Sequence, residues 1–231
     1  MSKSAIQVIC LDGPSGVGKG TICLAIAKKL GWHILDSGSL YRITALQLFR
    51  HFPDHDVASV DKSQLIDIAT NLDVTYKEVN HELVIFLDGE NVTQLIRNEE
   101  MGDRASQIAA IPEVRQALLA RQRAFLQKPG LIADGRDMGT VVFPDADLKI
   151  YLTASPEERA KRRYKQLKDK GIDVNLPSLV EELRQRDERD MNRQTAPLKP
   201  ALDAIIIDTT TLNIEQVTNE VMHWVEQRVS H

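Results

Sequence analysis

Short apolar runs recur along the chain at Ile6–Leu11, Trp32–Leu35, Leu131–Ala133, Leu148–Leu152 and Ala204–Ile207, with helical patterns or long excursions between them. This alternation predicts an α/β fold with a five-stranded parallel sheet flanked by helices. After the first run, Ile22, Ala25, Ile26 and Leu30 recur at helical spacing and Gly31 supplies a stop. A last helix carries Ile214, Val217, Val221, Trp224 and Val225 on one stripe, read as core. Between the second and third core strands, residues 73–94 read as a small antiparallel sheet. Its strand-like runs are Val74–Val79 and Leu83–Leu87, with turn signals at Asn80-His81 and Asp88-Gly89.

Where the first strand ends, Gly13-Pro14-Ser15-Gly16-Val17-Gly18-Lys19-Gly20-Thr21 fits a phosphate-binding loop that opens a helix. Small residues let successive backbone N–H groups turn toward phosphate oxygens, the helix presents its positive end, and Lys19 adds a mobile charge. The pattern departs from the usual one at Gly20, where a hydroxyl is expected; the hydroxyl arrives at Thr21. No direct metal ligand is therefore assigned.

Composition narrows the remaining classes. A net charge of −4 argues against bulk coating of nucleic acid, and no apolar run is long enough to cross a bilayer. Cys10 and Cys23 lie on a strand and an apolar-patterned helix outside any CxxC spacing, so buried thiols are expected. The start Met1-Ser2-Lys3-Ser4 shows no apolar leader, which makes a cytoplasmic location the default expectation.

Three clusters bear on a second ligand. Asp36-Ser37-Gly38-Ser39-Leu40-Tyr41-Arg42 falls at the carboxyl end of the second strand, where an open α/β sheet forms its ligand crevice. Ser37 could cap the helix or face a ligand, and Arg42 could clamp an anion or decorate the surface. Asp134-Gly135-Arg136-Asp137 follows the third core strand. An arginine fork beside a carboxylate matches the acceptors and the 4-amino donor of cytosine, whereas uracil reverses part of that pattern; a plain loop salt bridge is the alternative. Asp134 could orient magnesium through water or cap the turn. The third cluster lies at the end of residues 157–193, where eleven basic residues meet nine acidic ones. Most of these read as charge pairs on solvated helices, but the arginines Arg184, Arg186, Arg189 and Arg193 suggest a segment that closes over phosphates. Helical spacing brings Arg186, Asp190 and Arg193 toward one face, as an anion and sugar site or as a salt-bridge ladder.

Taken together, GPSGVGKGT, LDSGSLYR, IADGRDMGTVVFPDA and RDERDMNR followed by Ala196-Pro197 resemble the bacterial cytidylate kinases, nucleoside monophosphate kinases, over nearly the whole chain. The resemblance implies one P-loop kinase domain over residues 1–231. It would comprise a core, a monophosphate-binding region at about 37–120 containing the β-rich insertion, and a helical lid at about 157–193. It implies that Gly13 to Thr21 bind ATP, and that Ser37, Arg42, Ser106, Arg115, Arg136, Asp137, Arg186, Asp190 and Arg193 bind the monophosphate. Lys19, Asp134, Arg136 and Arg186 would be catalytic. Ser106 and Arg115 rest on the resemblance alone, since their segment otherwise reads as helical surface. Arg159 and Arg163 are implied near adenine or phosphate. The implied reaction is transfer of the ATP γ-phosphoryl group to CMP or dCMP, with Mg²⁺ as the ATP complex, by a monomer that uses neither nucleic acid nor membrane. The competing readings are a P-loop kinase for UMP or another small acceptor, and a switch or translocase ATPase.

Overall fold

The computed structural model describes residues 6–79, 82–169 and 171–229. β1 (Gln7–Asp12) runs through the phosphate loop into α1 (Lys19–Leu30), and β2 (His33–Asp36) leads to α2 (Ser37–His51) and α3 (Lys62–Thr70). Then come β3 (Val74–Val79), β4 (Glu82–Leu87), β5 (Glu90–Asn91), α4 (Thr93–Ile96), α5 (Glu99–Ile108) and α6 (Pro112–Ala124). β6 (Gly130–Gly135), a π-helical turn (Met138–Val142) and β7 (Leu148–Thr153) follow, and the chain ends in α7 (Pro156–Asp169), α8 (Leu176–Met191), β8 (Ile205–Asp208) and α9 (Ile214–Arg228).

All five core strands form where the apolar runs lie, in the order β2-β6-β1-β7-β8. β1 pairs in parallel with β6 and with β7, and β7 in parallel with β8. β1 sits at the centre because its run is apolar on both faces: Ile9, Cys10 and Leu11 are fully buried. Both cysteines are free and buried, as expected. The antiparallel insertion is a three-stranded sheet, β3-β4-β5, turning at Asp88-Gly89 with both residues at positive φ. The Asn80-His81 turn lies outside the described residues. In α9, Val217, Val221 and Val225 are buried, but Ile214 is 42% exposed and so departs from the expected core stripe. It sits on the first turn, beside the phosphate loop, where a Cβ on Gly18 would be 3.1 Å from its Cδ1.

The chain divides into two compact units, one comprising the described residues up to His33 together with Leu126 onward, the other Ile34–Phe125. In the first, α7 and α8 share a small core of Ala160, Leu167, Leu179 and Leu183, flanked by Tyr164, Val174, Leu176 and Val180. This segment therefore has apolar packing of its own and is more than a pair of solvated charged helices. In the second unit, the β-rich insertion steadies the start of α2. The Tyr76 hydroxyl donates to the Asp36 carbonyl at 3.1 Å and lies 2.5 Å from Ser39 Oγ, while its ring meets Phe125 at 5.1 Å. Burial, with Asp36 nearby, pushes that phenol's pKa above its ordinary value.

Candidate active site

The phosphate loop leaves β1 through Gly13, whose φ of 145° and close approach to β7 both require a missing side chain: a Cβ there would lie 2.1 Å from the Leu152 carbonyl oxygen. The loop folds over the side chain of Lys19, which is 6% exposed and donates to the carbonyls of Gly13 and Pro14, each at 2.9 Å. Asp134, at the carboxyl end of β6, lies 3.9 Å from the ammonium. Burial, then the Arg136 guanidinium, push Lys19 down to about 8, against the pull of Asp134. Gly20, where a hydroxyl was expected, opens α1 next to the same carboxylate; a Cβ on it would stand 3.6 Å from Asp134 Oδ2. Thr21 is exposed on the first turn.

The second and third sequence clusters meet in this unit. Arg136 Nε lies 3.5 Å from Asp190 Oδ2, and Arg193 Nη1 lies 3.9 Å from Asp190 Oδ1. Asp137, Asp190 and Arg193 are all buried. Two guanidinium groups thus flank one carboxylate that is largely removed from water. Arg186 has a buried Nε on the same helix.

Arg159 has a different setting. It is 2% exposed, and its Nε donates to the Ala154 carbonyl at 3.1 Å while Nη1 donates to the Ser15 carbonyl in the phosphate loop at 3.0 Å. Both terminal nitrogens also reach the Asp187 carboxylate. This buried fork ties the loop, the start of α7 and the middle of α8 together. Arg163 is half-buried one turn further along and donates to Gln166 at 3.3 Å.

In the other unit, Ser37 opens α2 and accepts from Gln122 Nε2 at 2.8 Å, but the helix cap is Asp36, whose carboxylate accepts from Ser39 N. The capping role considered for Ser37 belongs to its neighbour. Arg42 Nη1 donates to the carbonyls of Ile96 and Asn98 at 2.7 and 2.9 Å, securing the link from α4 to α5. Ser106 on α5 and Arg115 on α6 are buried, 3% and 7% exposed, which corrects the reading of their segment as helical surface. Arg115 donates to the Ala109 carbonyl at 3.2 Å and lies over the Tyr41 ring.

Sequence reading passed over Asp12, Asp187 and Gln122. A signal existed only for Asp12, a carboxylate closing an otherwise apolar strand next to the phosphate loop. The residue is 5% exposed and accepts from Met138 N and Gly139 N, both at 2.8 Å. Burial raises its carboxyl to about 7, in spite of these two bonds and of Lys19 nearby.

A central parallel strand running into a glycine loop closed on a buried lysine, with arginines gathered beside it, defines a P-loop kinase. The gluconokinase from Sinorhizobium meliloti 1021 shares the fold, with a TM-score of 0.50 at 12% identity, covering 96% of this chain and 92% of that one. Residues 9–227 match the family model described as cytidylate kinase. The cytidylate kinase of Aeromonas salmonicida (strain A449) is 55% identical over 222 residues, 96% of this chain and 95% of the relative. That of Stutzerimonas stutzeri (strain A1501) is 56% identical over 225 residues, 96% of each. The chain belongs to the cytidylate kinase family. Among the described residues no helix is long and apolar enough to cross a membrane.

Proposed function

We propose that the chain transfers the γ-phosphoryl group of ATP to the 5′-phosphate of CMP and dCMP, giving ADP and the nucleoside diphosphate. The observation that carries this reading is the gathering of Arg136, Asp190 and Arg193 in the same unit as the phosphate loop and its buried Lys19. Gly13 to Thr21 cradle the ATP phosphates through backbone N–H groups. Arg136 and Asp137 read the cytosine edge, Asp190 serves the sugar, and Ser37, Arg42, Ser106, Arg115, Arg186 and Arg193 hold the monophosphate. An acceptor phosphate is already anionic near neutral pH, so no strong base is required. Catalysis comes from in-line placement and from neutralising charge with Lys19 and the arginines.

The donor set fits magnesium carried by ATP, since a hard carboxylate, Asp134, faces the start of α1. Magnesium bound there would neutralise phosphate charge. The α7–α8 segment acts as a lid that excludes water, which protects ATP from idle hydrolysis. A monomer in the cytoplasm, acting on nucleotides and not on nucleic acid, completes the proposal.

ADP release is the readout, measured from ATP and magnesium with CMP, dCMP, UMP, AMP, GMP or no acceptor. Rapid turnover confined to the cytidine monophosphates is expected. Equal use of UMP would make this a broader pyrimidine kinase, and turnover without acceptor would move it to the ATPase class.

A further inference from the structure

β1 and β6 run in parallel with Asp12 opposite Gly135, the last pair of the ladder. The chain then leaves the sheet through Arg136 and Asp137 and comes back to Asp12 at Met138, three positions after Gly135. Asp12 Oδ1 accepts from Met138 N and Oδ2 from Gly139 N, both at 2.8 Å. Arg136 and Asp137 thus form an arch with both feet on Asp12, one on its place in the ladder and one on its side chain. The second foot is closely bounded on the side of the Lys149 stem. A Cβ on Gly139 would stand 3.4 Å from Asp12 Oδ2 and 3.1 Å from the Lys149 stem. Nor would an amide replace the carboxylate, because each oxygen faces an N–H and an amide nitrogen has no lone pair to offer.

We propose that Asp12 is a positioning residue for base selection, its carboxylate holding Arg136 and Asp137 in the geometry that reads cytosine. This rests on the proposed reading of the base by Arg136 and Asp137. Asp12 acts through the peptide that follows them, and its position at the end of β1 also sets where the phosphate loop begins. The groups around it are Asp137, which disfavours its charge, Lys19, which favours it, the Cys10 thiol on the same strand, Tyr151 opposite it on β7, and Lys149 beside Gly139. In acid, a proton on Asp12 places a donor where the arch needs an acceptor, and selection weakens.

The experiment compares kcat/KM for CMP and UMP at saturating ATP in the native chain, Asp12→Asn, Gly139→Ala and Asp137→Ala, at pH values from about 5.5 to 8.5, with thermal unfolding recorded for each. The ratio of the two substrates cancels the titration of their shared phosphate. Asp12→Asn should raise KM for CMP by on the order of tenfold and shrink the CMP:UMP ratio, with KM for ATP changed by less than about twofold, and Gly139→Ala, which presses on the Lys149 stem more than on Asp12, should have a smaller effect in the same direction. The native ratio should decline below about pH 7, and that of Asp12→Asn should stay flat. A folded Asp12→Asn that keeps the native ratio, or that loses ATP and CMP affinity equally, overturns the proposal. If Asp12→Asn does not fold, the native chain decides: a CMP:UMP ratio that stays flat from about pH 5.5 to 8.5 overturns the proposal. Should Asp137→Ala also keep the ratio, the base reading itself fails; should only Asp137→Ala change it, Asp12 alone is wrongly assigned.

Discussion

Lys19 carries a proton less firmly than a lysine in water, since burial and the Arg136 guanidinium bring it down to about 8. Triphosphate oxygens placed against it favour the charged form and move its pKa back up. ATP binding should therefore take up protons at about pH 8.5, up to about one per site, seen calorimetrically as an enthalpy that varies with the buffer's ionisation heat. Lys19→Ala should abolish both this uptake and turnover while leaving CMP binding measurable. Buffer-independent binding by the native chain, or phosphoryl transfer by the variant, would contradict the role given to this residue. The lysine and its loop were legible in the sequence because their spacing is local. Asp12 was less so, for its partners lie 126 and 127 residues away.

Elements were more legible than the contacts between them. The five strands and the helices after them follow from apolar runs and periodicity, which are properties of neighbouring residues. The antiparallel insertion likewise follows from alternation and from the Asp88-Gly89 turn. The burial of Arg159 could not be read in this way. Its carboxylate partner is 28 residues along, on α8, and a run of lysines and arginines looks alike whether a fork points to solvent or to Asp187. The same holds for the α7–α8 core, built from apolar residues spread thinly among charges. Removing one partner of a buried ion pair leaves the other charge stranded. Asp187→Ala should thus lower stability by about 3 kcal/mol and raise KM for ATP, as the Arg159 fork that braces the Ser15 carbonyl loses its counter-charge. Denaturant unfolding and ATP titration check both effects, and a neutral outcome on stability would show that the pair is not closed in solution.

At the scale of the molecule, the carboxyl ends of β1 and β6 bring a buried lysine and buried acids into one region, and their titration feeds back on folding. Asp12 rises from 3.8 to about 7, so the native state keeps a proton that the unfolded chain has lost. Stability from this group is full below about pH 4 and is lost as the pH rises through about 7, by up to about 4 kcal/mol at 1.4 kcal/mol per unit. Urea unfolding of the native chain should accordingly lose stability relative to Asp12→Asn between about pH 4 and 8; parallel profiles would mean that Asp12 titrates normally. The centrality of β1 also has a hereditary side. Every single-base change of a glycine codon that changes the residue adds a Cβ, and at Gly13 any Cβ runs into the Leu152 carbonyl. A lineage carrying this gene can drift at many surface codons, but at this one each missense step removes the loop in a single generation, and no intermediate residue exists through which selection could pass.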